Sequence, residues 1–247
     1  METKIAVLTT TNLTKSFGGL IAVNDANMLV DEGELRAVIG PNGSGKTTLL
    51  NLISGHLKCT CGKIMLYNED VTHLPPNIRA SRGLARTFQH SQVFPRLTII
   101  ENLWVAAQRK RMLNPLGDYK TDEEVGEKVE ETLKLIRLSH KSDRIASECS
   151  YGEQRRIEIG IALINNPKIT LMDEPTAGIS PQEREEIVNL LKNLKGLKTM
   201  LIVEHNVDVV MRIADKVTVL CEGRIVAEGL PKEVMACEEV QKAYIGG

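Results

Sequence analysis

Apolar positions along the chain alternate between two periods. Residues 5–39 carry short apolar runs, of which Val23 to Val30 and Leu35 to Ile39 are the clearest, and Asp31-Glu32-Gly33-Glu34 supplies a turn between them. Such runs bounded by Gly and Asp predict strands. Thr47 to Ile53 predicts a helix, and Gly62-Lys63-Ile64-Met65-Leu66-Tyr67 a further strand with its turn at Asn68-Glu69-Asp70. From about Thr98 to about Leu138 the period becomes helical. Ile99, Leu103 and Ala106-Ala107 recur at helical spacing, as do Val125, Val129, Leu133 and Ile136, with a loop expected at Leu113-Asn114-Pro115-Leu116-Gly117-Asp118. Buried strands then return at Ile169 to Met172 and at Thr199 to Val203. Between them Ser180-Pro181 opens a helix whose apolar face is Ile187, Leu190, Leu191 and Leu194. Val217 to Leu220 and Arg224 to Ala227 flank Glu222-Gly223 as a hairpin. The pattern describes an α/β body with a helical subdomain inserted in it, and no internal repeat.

Composition narrows the class. The chain has 247 residues, 42% of them hydrophobic, which suffices for one large domain or two lobes. A net charge of -1 gives no basic field for nucleic acid or anionic lipid, and 3% aromatic residues do not make a stacking platform for single strands. No apolar run approaches the roughly 20 residues of a membrane span, and the first residues lack a signal-peptide pattern. The expectation is a protein kept in the cytosol that reaches a membrane by docking onto a partner. Five cysteines, with Cys59 and Cys61 as an isolated C-x-C, predict reduced thiols and no zinc site.

The chemistry is concentrated in Gly40-Pro41-Asn42-Gly43-Ser44-Gly45-Lys46-Thr47-Thr48, which fits G-x-x-x-x-G-K-[ST] between a predicted strand and a predicted helix. The glycines let backbone N–H groups curl around an anion and the helix N-terminus adds its dipole. Lys46 would reach the β- and γ-phosphates, and the Thr47 hydroxyl would ligate Mg²⁺. A second motif, Met172-Asp173-Glu174-Pro175, ends an apolar strand in two acids. That puts two carboxylates at the carboxyl edge of a parallel sheet, where ligands bind in such folds. Asp173 would hold Mg²⁺ through water and Glu174 would orient and polarise the attacking water.

Further residues carry a resemblance. Ser150-Tyr151-Gly152-Glu153-Gln154, followed by Arg155-Arg156-Ile157-Glu158-Ile159, resembles the signature sequence of ATP-binding-cassette ATPases. Gln89 matches the family's Q-loop glutamine, His205 its switch histidine, Phe17 the aromatic that stacks on adenine, and Ala177-Gly178-Ile179-Ser180 its D-loop. The resemblance covers essentially the whole chain, with the motifs in order. It implies a phosphate-loop NTPase core of cassette type, an N-terminal antiparallel β subdomain and an inserted α-helical subdomain. The core would take about residues 1–90 and 160–247, and the helical signature subdomain about 91–159.

By the same resemblance the cofactors are ATP and Mg²⁺. Residues 40 to 48, Phe17, Val23, Ser150 and Gly152 would bind nucleotide. Glu174, His205, Lys46 and Gln89 would be catalytic, and Thr47, Gln89 and Asp173 would serve the metal. Some positions depart from the family's pattern. Cys149 and Thr170 replace apolar residues, Tyr151 replaces the first signature glycine, Glu153 a common glutamine, and Ser180 the usual D-loop aspartate.

Within the family the chain is similar to the ATP-binding subunits of branched-chain amino acid importers. Arg86-Thr87-Phe88-Gln89, the signature run, Val203-Glu204-His205-Asn206-Val207-Asp208-Val209-Val210-Met211, the closing Ala243-Tyr244-Ile245-Gly246 and the long helical insert carry that similarity. Related cassettes serve urea or amide import, other amino acid import and lipopolysaccharide export, and some are soluble proteins outside transport. The absence of a heptad run or a second cassette disfavours a chromosome-maintenance or translation ATPase, and the signature disfavours a small-molecule kinase. The implied partners are integral-membrane permease subunits, a second cassette (a copy or a paralogue) and, indirectly, an extracytoplasmic solute-binding protein. No nucleic acid is implied, and the place of work is the cytoplasmic face of the membrane. Each ATP would lie between the phosphate loop of one chain and Ser150-Gly152 of the other.

Overall fold

The computed structural model describes residues 5–87, 93–108 and 122–245. The elements begin with β1 (Ala6–Phe17), β2 (Leu20–Asp31), β3 (Leu35–Ile39), α1 (Lys46–Ser54), β4 (Cys61–Leu66), β5 (Glu69–Asp70), α2 (Pro76–Ser81) and β6 (Leu84–Arg86). Then come α3 (Ile99–Ala107), α4 (Asp122–Leu135), α5 (Tyr151–Leu163), β7 (Ile169–Asp173), α6 (Pro181–Leu194) and β8 (Met200–Val203). The chain closes with α7 (Val207–Ile213), β9 (Lys216–Cys221), β10 (Arg224–Gly229), α8 (Pro231–Met235) and α9 (Glu238–Ile245). The expected loop at 113–118 lies outside the described residues. Two compact units result: residues 1–86, 168–175 and 191–247 form the first, and 87–167 with 176–190 the second.

The first unit holds both sheets. An antiparallel sheet has the order β2-β1-β4-β5, and a six-stranded sheet has the order β10-β9-β3-β8-β7-β6. In the latter β9, β3, β8, β7 and β6 run parallel, and β10 returns antiparallel. The parallel strands read as continuous apolar runs because they are buried on both faces. β3, β7 and β8 are buried at every position. The core joins Val7, Leu13, Val23 and Val30 of the antiparallel sheet to Leu49, Leu50, Leu52 and Ile53 of α1 and to Val38, Leu171 and Leu201.

The hairpin at Glu222-Gly223 forms as the pattern predicts, with φ positive at both residues (47° and 80°). That combination matches the right-handed twist of the flanking strands. The turn expected at Asn68-Glu69-Asp70 falls one residue earlier. Tyr67 and Asn68 make it, with φ of 46° and 63°, and Glu69-Asp70 pairs back onto Leu66 and Met65 as β5.

Two buried arginines brace this unit. Arg36 on β3 is fully enclosed, bonding Glu34, Thr218 and the Leu29 carbonyl and pairing with Glu228 at 2.9 Å. Arg79 on α2 donates to the carbonyls of Leu52 (2.6 Å), Ile53 (2.7 Å), Thr72 (2.8 Å) and Leu74 (2.9 Å). It thereby satisfies orphan acceptors at the C-terminus of α1, where the helix dipole favours a cation.

In the second unit α3, α4 and α5 pack on one another through Ile99, Leu103, Val125, Val129, Leu133, Ile136 and Ile157, all buried. Gly160 allows close approach: a Cβ there would meet Thr132 and Ile136 atoms at 3.1–3.2 Å. α3 and α5 each start with a capping box, Thr98 with Glu101 and Ser150 with Glu153. Residues 181–190 of α6 belong to this unit and its last four residues to the first.

Candidate nucleotide site

In the first unit strand register aligns three motifs. Val38 pairs with Val203, and Val203 with Asp173. Beyond that line the chain leaves β3 into the phosphate loop, β8 into Glu204-His205 and β7 into Glu174. Two backbone bonds stitch the edge, Glu204 N–H to the Val38 carbonyl at 3.3 Å and Glu174 N–H to the Val203 carbonyl at 2.9 Å. Glu174 has φ +50°, a backbone state that costs a non-glycine residue and clusters at functional positions. Its Oε1 lies 2.6 Å from His205 Nε2.

The phosphate loop is shaped by backbone contacts. A Cβ on Gly40 would stand 2.0 Å from the Leu220 carbonyl oxygen, and one on Gly45 2.2 Å from that of Ala22. Ser44 donates its N–H to Pro41 and accepts from Gly223. Lys46 opens α1 and is almost entirely buried, its Nζ donating to the Gly40 and Pro41 carbonyls at 2.8 Å each. Burial lowers the Lys46 pKa, against the pull of Glu174 and Asp173. The Ser44 hydroxyl is buried without a partner among the described residues. An unpaired buried donor beside a buried ammonium fits an absent anion.

Asp173 is buried, and burial raises its pKa while the neighbouring Arg86 opposes that rise. The Arg86 guanidinium lies 3.6 Å from Asp173 and also bonds Asn51 and Ser54 of α1. Thr47 is exposed at the start of α1. A hydroxyl and a carboxylate are hard oxygen donors suited to Mg²⁺. Gln89, expected at the same metal, lies outside the described residues.

Phe17, at the end of β1, leaves 46% of its surface exposed, and the Lys15 ammonium stands 4.9 Å from its ring centroid. A ring face of this kind is available for stacking. Val23 is fully buried in the core.

In the second unit Ser150 is the N-cap of α5. Its hydroxyl donates to Glu183 Oε1 at 2.5 Å, and the Gly152 N–H donates to the same oxygen at 3.2 Å. Glu183, the acceptor of both bonds, is not among the residues the motifs place at the site. Its readable signal was Ser180-x-x-Glu183, a capping-box spacing at the start of α6. Arg86 beside Asp173 reads in the sequence only as part of the Arg86-Thr87-Phe88-Gln89 run, because its partners Asn51 and Ser54 lie 35 and 32 residues away.

A sequence model of the family described as ABC transporter matches residues 23–177. The chain belongs to the ATP-binding-cassette transporter family. Over 249 residues the cassette is 37% identical to the high-affinity branched-chain amino acid transport ATP-binding protein BraF of Pseudomonas aeruginosa, covering 97% of this chain and 98% of BraF. It is 35% identical to LivG of Escherichia coli K12, a protein of the same description, over the same shares. Among solved structures it resembles the ADP conformation of the cassette MJ1267, with a TM-score of 0.86, 37% identity and coverage of 98% and 99% of the two chains. It thus has the α/β phosphate-loop fold of the family and is an ATP-binding, ATP-hydrolysing cassette. Among the described residues no helix is long and apolar enough to cross a membrane.

Proposed function

We propose that the cassette is the ATP-hydrolysing subunit of an importer for branched-chain amino acids, working on integral-membrane permease subunits at the cytoplasmic face of the membrane. The observation that carries the reading is the alignment of the phosphate loop, Asp173-Glu174 and His205 on adjoining parallel strand ends. A signature residue pair at the N-terminus of a second-unit helix accompanies it. The choice of solute class rests on near full-length identity to BraF and LivG.

In this reading Lys46, the buried Ser44 hydroxyl and the loop N–H groups bind the phosphates, with Pro41, Asn42, Gly43, Thr47 and Thr48 completing the wall. Phe17 stacks on the adenine, and Val23, fully buried opposite Lys15, supports the strand pair that carries it. Thr47, Asp173 and Gln89 would hold Mg²⁺, which neutralises phosphate charge when bound. Glu174 orients the attacking water, and His205, already within hydrogen-bond reach of Glu174, holds that carboxylate and meets the γ-phosphate. Rate enhancement comes from positioning and electrostatics. Ser150 and Gly152 act on ATP held by a second cassette, so ATP closes a dimer and hydrolysis opens it. A ligand bound better by the closed state shifts the population toward it.

Two measurements test this. Sedimentation of Glu174→Gln with and without Mg-ATP should show dimer only with the nucleotide; monomer at saturating Mg-ATP would remove the closure step. Expression in a strain lacking its own branched-chain cassette, together with the cognate permease genes, should restore leucine uptake. Failure there, with ATPase activity intact, would reject the solute.

A further inference from the structure

The Glu183 carboxylate joins two helix N-termini. Its Oε2 closes the capping box of α6, accepting from Ser180 N at 3.1 Å and Ser180 Oγ at 2.7 Å, while Glu183 N donates back to Ser180 Oγ at 3.3 Å. Its Oε1 accepts from Ser150 Oγ and Gly152 N at the start of α5. The positive ends of two helix dipoles therefore converge on one anion. The bond from Ser150, then those from Ser180 and Gly152, hold this carboxyl down at a pKa of about 2, so it is ionised at any working pH. Gly152 is what lets it in. A Cβ there would lie 2.6 Å from both Cβ and Cδ of Glu183 and 2.7 Å from its Cγ.

The Ser150 hydroxyl has one proton and the Gly152 amide has one. Both are given to Glu183. They are also the two donors that the proposed function assigns to the γ-phosphate of a second chain's ATP. One proton does not serve two anions well, and two anions in one place repel.

We propose that Glu183 is an internal stand-in for the γ-phosphate: it fills the signature site in the open cassette and is displaced when ATP on a second chain closes the dimer. The inference rests on the trans role given above to Ser150 and Gly152. It adds a function for Glu183, that of a competitor which weakens closure and hands the site back after phosphate leaves. The second reading, a brace that holds α5 and α6 for ATP, makes the opposite prediction, since removing a brace weakens closure.

The test is the Mg-ATP concentration at half-maximal dimer, read by sedimentation velocity at one protein concentration in the Glu174→Gln background. Adding Glu183→Ala should lower that concentration by roughly tenfold, the worth of about one charge-assisted hydrogen bond. Adding Glu183→Gln, which keeps volume and a neutral acceptor and so guards against a folding defect, should lower it less. Adding Glu183→Asp should leave it nearest the parent. An unchanged or higher midpoint in both Ala and Gln variants overturns the competitor. The Glu174→Gln parent alone reports on ATP-driven closure. Monomer in the parent at saturating Mg-ATP overturns closure, and the competitor with it.

Discussion

The cassette carries two anion sites, one in each unit, and they solve the same problem differently. The phosphate loop of the first unit is built from backbone around one buried lysine. Its lysine is buried and turned onto its own loop carbonyls, and its Ser44 hydroxyl has no partner among the described residues. The signature site of the second unit already has an anion, the side chain of Glu183. The first is held by backbone: Gly40 and Gly45 pass within van der Waals reach of carbonyls from β9 and β2, which fix the shape of the loop. The second is held by a side chain, that of Glu183. A site preorganised by backbone binds without rearranging, which favours tight first capture of nucleotide. A site plugged by a side chain opens only against a competing ligand, which favours a step conditional on a second chain.

The largest expected effect separates hydrolysis from capture. Glu174→Gln should lower ATP turnover by about 10²–10⁴-fold, or about 3–5 kcal/mol of barrier, because the water loses its polarising base. ATP affinity, owed to the phosphate loop, should change little. Turnover and nucleotide affinity measured on one preparation check this, and turnover within a few-fold of the parent would take Glu174 out of the chemistry.

Arg79→Met asks whether the rigid site needs its anchor at the far end of α1. Carbonyls of Ile53, Thr72 and Leu74 lose this donor, while that of Leu52 keeps the Gly55 N–H. Urea unfolding should show a loss of about 3 kcal/mol, as buried acceptors go unpaired. A midpoint unchanged from the parent would mean that water replaces the guanidinium without cost.

Glycine substitutions then compare the two sites directly. Gly40→Ala drives a Cβ into a backbone carbonyl and should cost about 2–3 kcal/mol of stability. Gly152→Ala meets Glu183 from its Cβ, which the α6 backbone fixes, to its carboxylate end, which can move, and should cost about 1–3 kcal/mol. Thermal melts of the two variants side by side give the order. Equal losses would show that the signature site is as stiff as the loop.

The smallest effect is electrostatic. Glu183 has its folded pKa depressed to about 2, below the ordinary value of 4.5. Its contribution is therefore fully present above pH 4.5 and is lost as pH falls from 4.5 toward 2. The group is only part-buried, so solvent screening keeps the contribution below about 1 kcal/mol. Between pH 5 and 3 the parent should lose slightly more stability than Glu183→Gln. Parallel curves for the two would mean that the carboxylate gains nothing from its four donors.

Much of the site is legible in the order of residues alone. The spacing of Gly40, Gly45 and Lys46, the apolar strands ending at Ile39, Asp173 and Val203, and the Ser150-x-x-Glu153 start of α5 are local patterns. Each decides a backbone period, a turn or a cap within a few residues, and the fold follows them closely. The turn at Tyr67-Asn68 reads one residue late because Asn68-Glu69-Asp70 looks the more turn-like, and only pairing of Glu69-Asp70 with β4 settles where the strand resumes.

Only the tertiary structure decided which distant groups meet. Arg36 lies in a run that reads as apolar strand, yet it is fully buried because Glu34, Thr218 and Glu228 satisfy it there. Glu174 reaches His205 because β7 and β8 pair in one register, and a slip of one residue would turn every strand side chain to the other face. Glu183 carries a legible local role, the cap of α6. Its second role, at Ser150 and Gly152, exists only because the starts of α5 and α6 converge. The sequence writes each cap and each strand by itself, because those are decided by neighbours a few bonds away. Which cap shares its carboxylate with another helix is decided by packing, across 33 residues of chain.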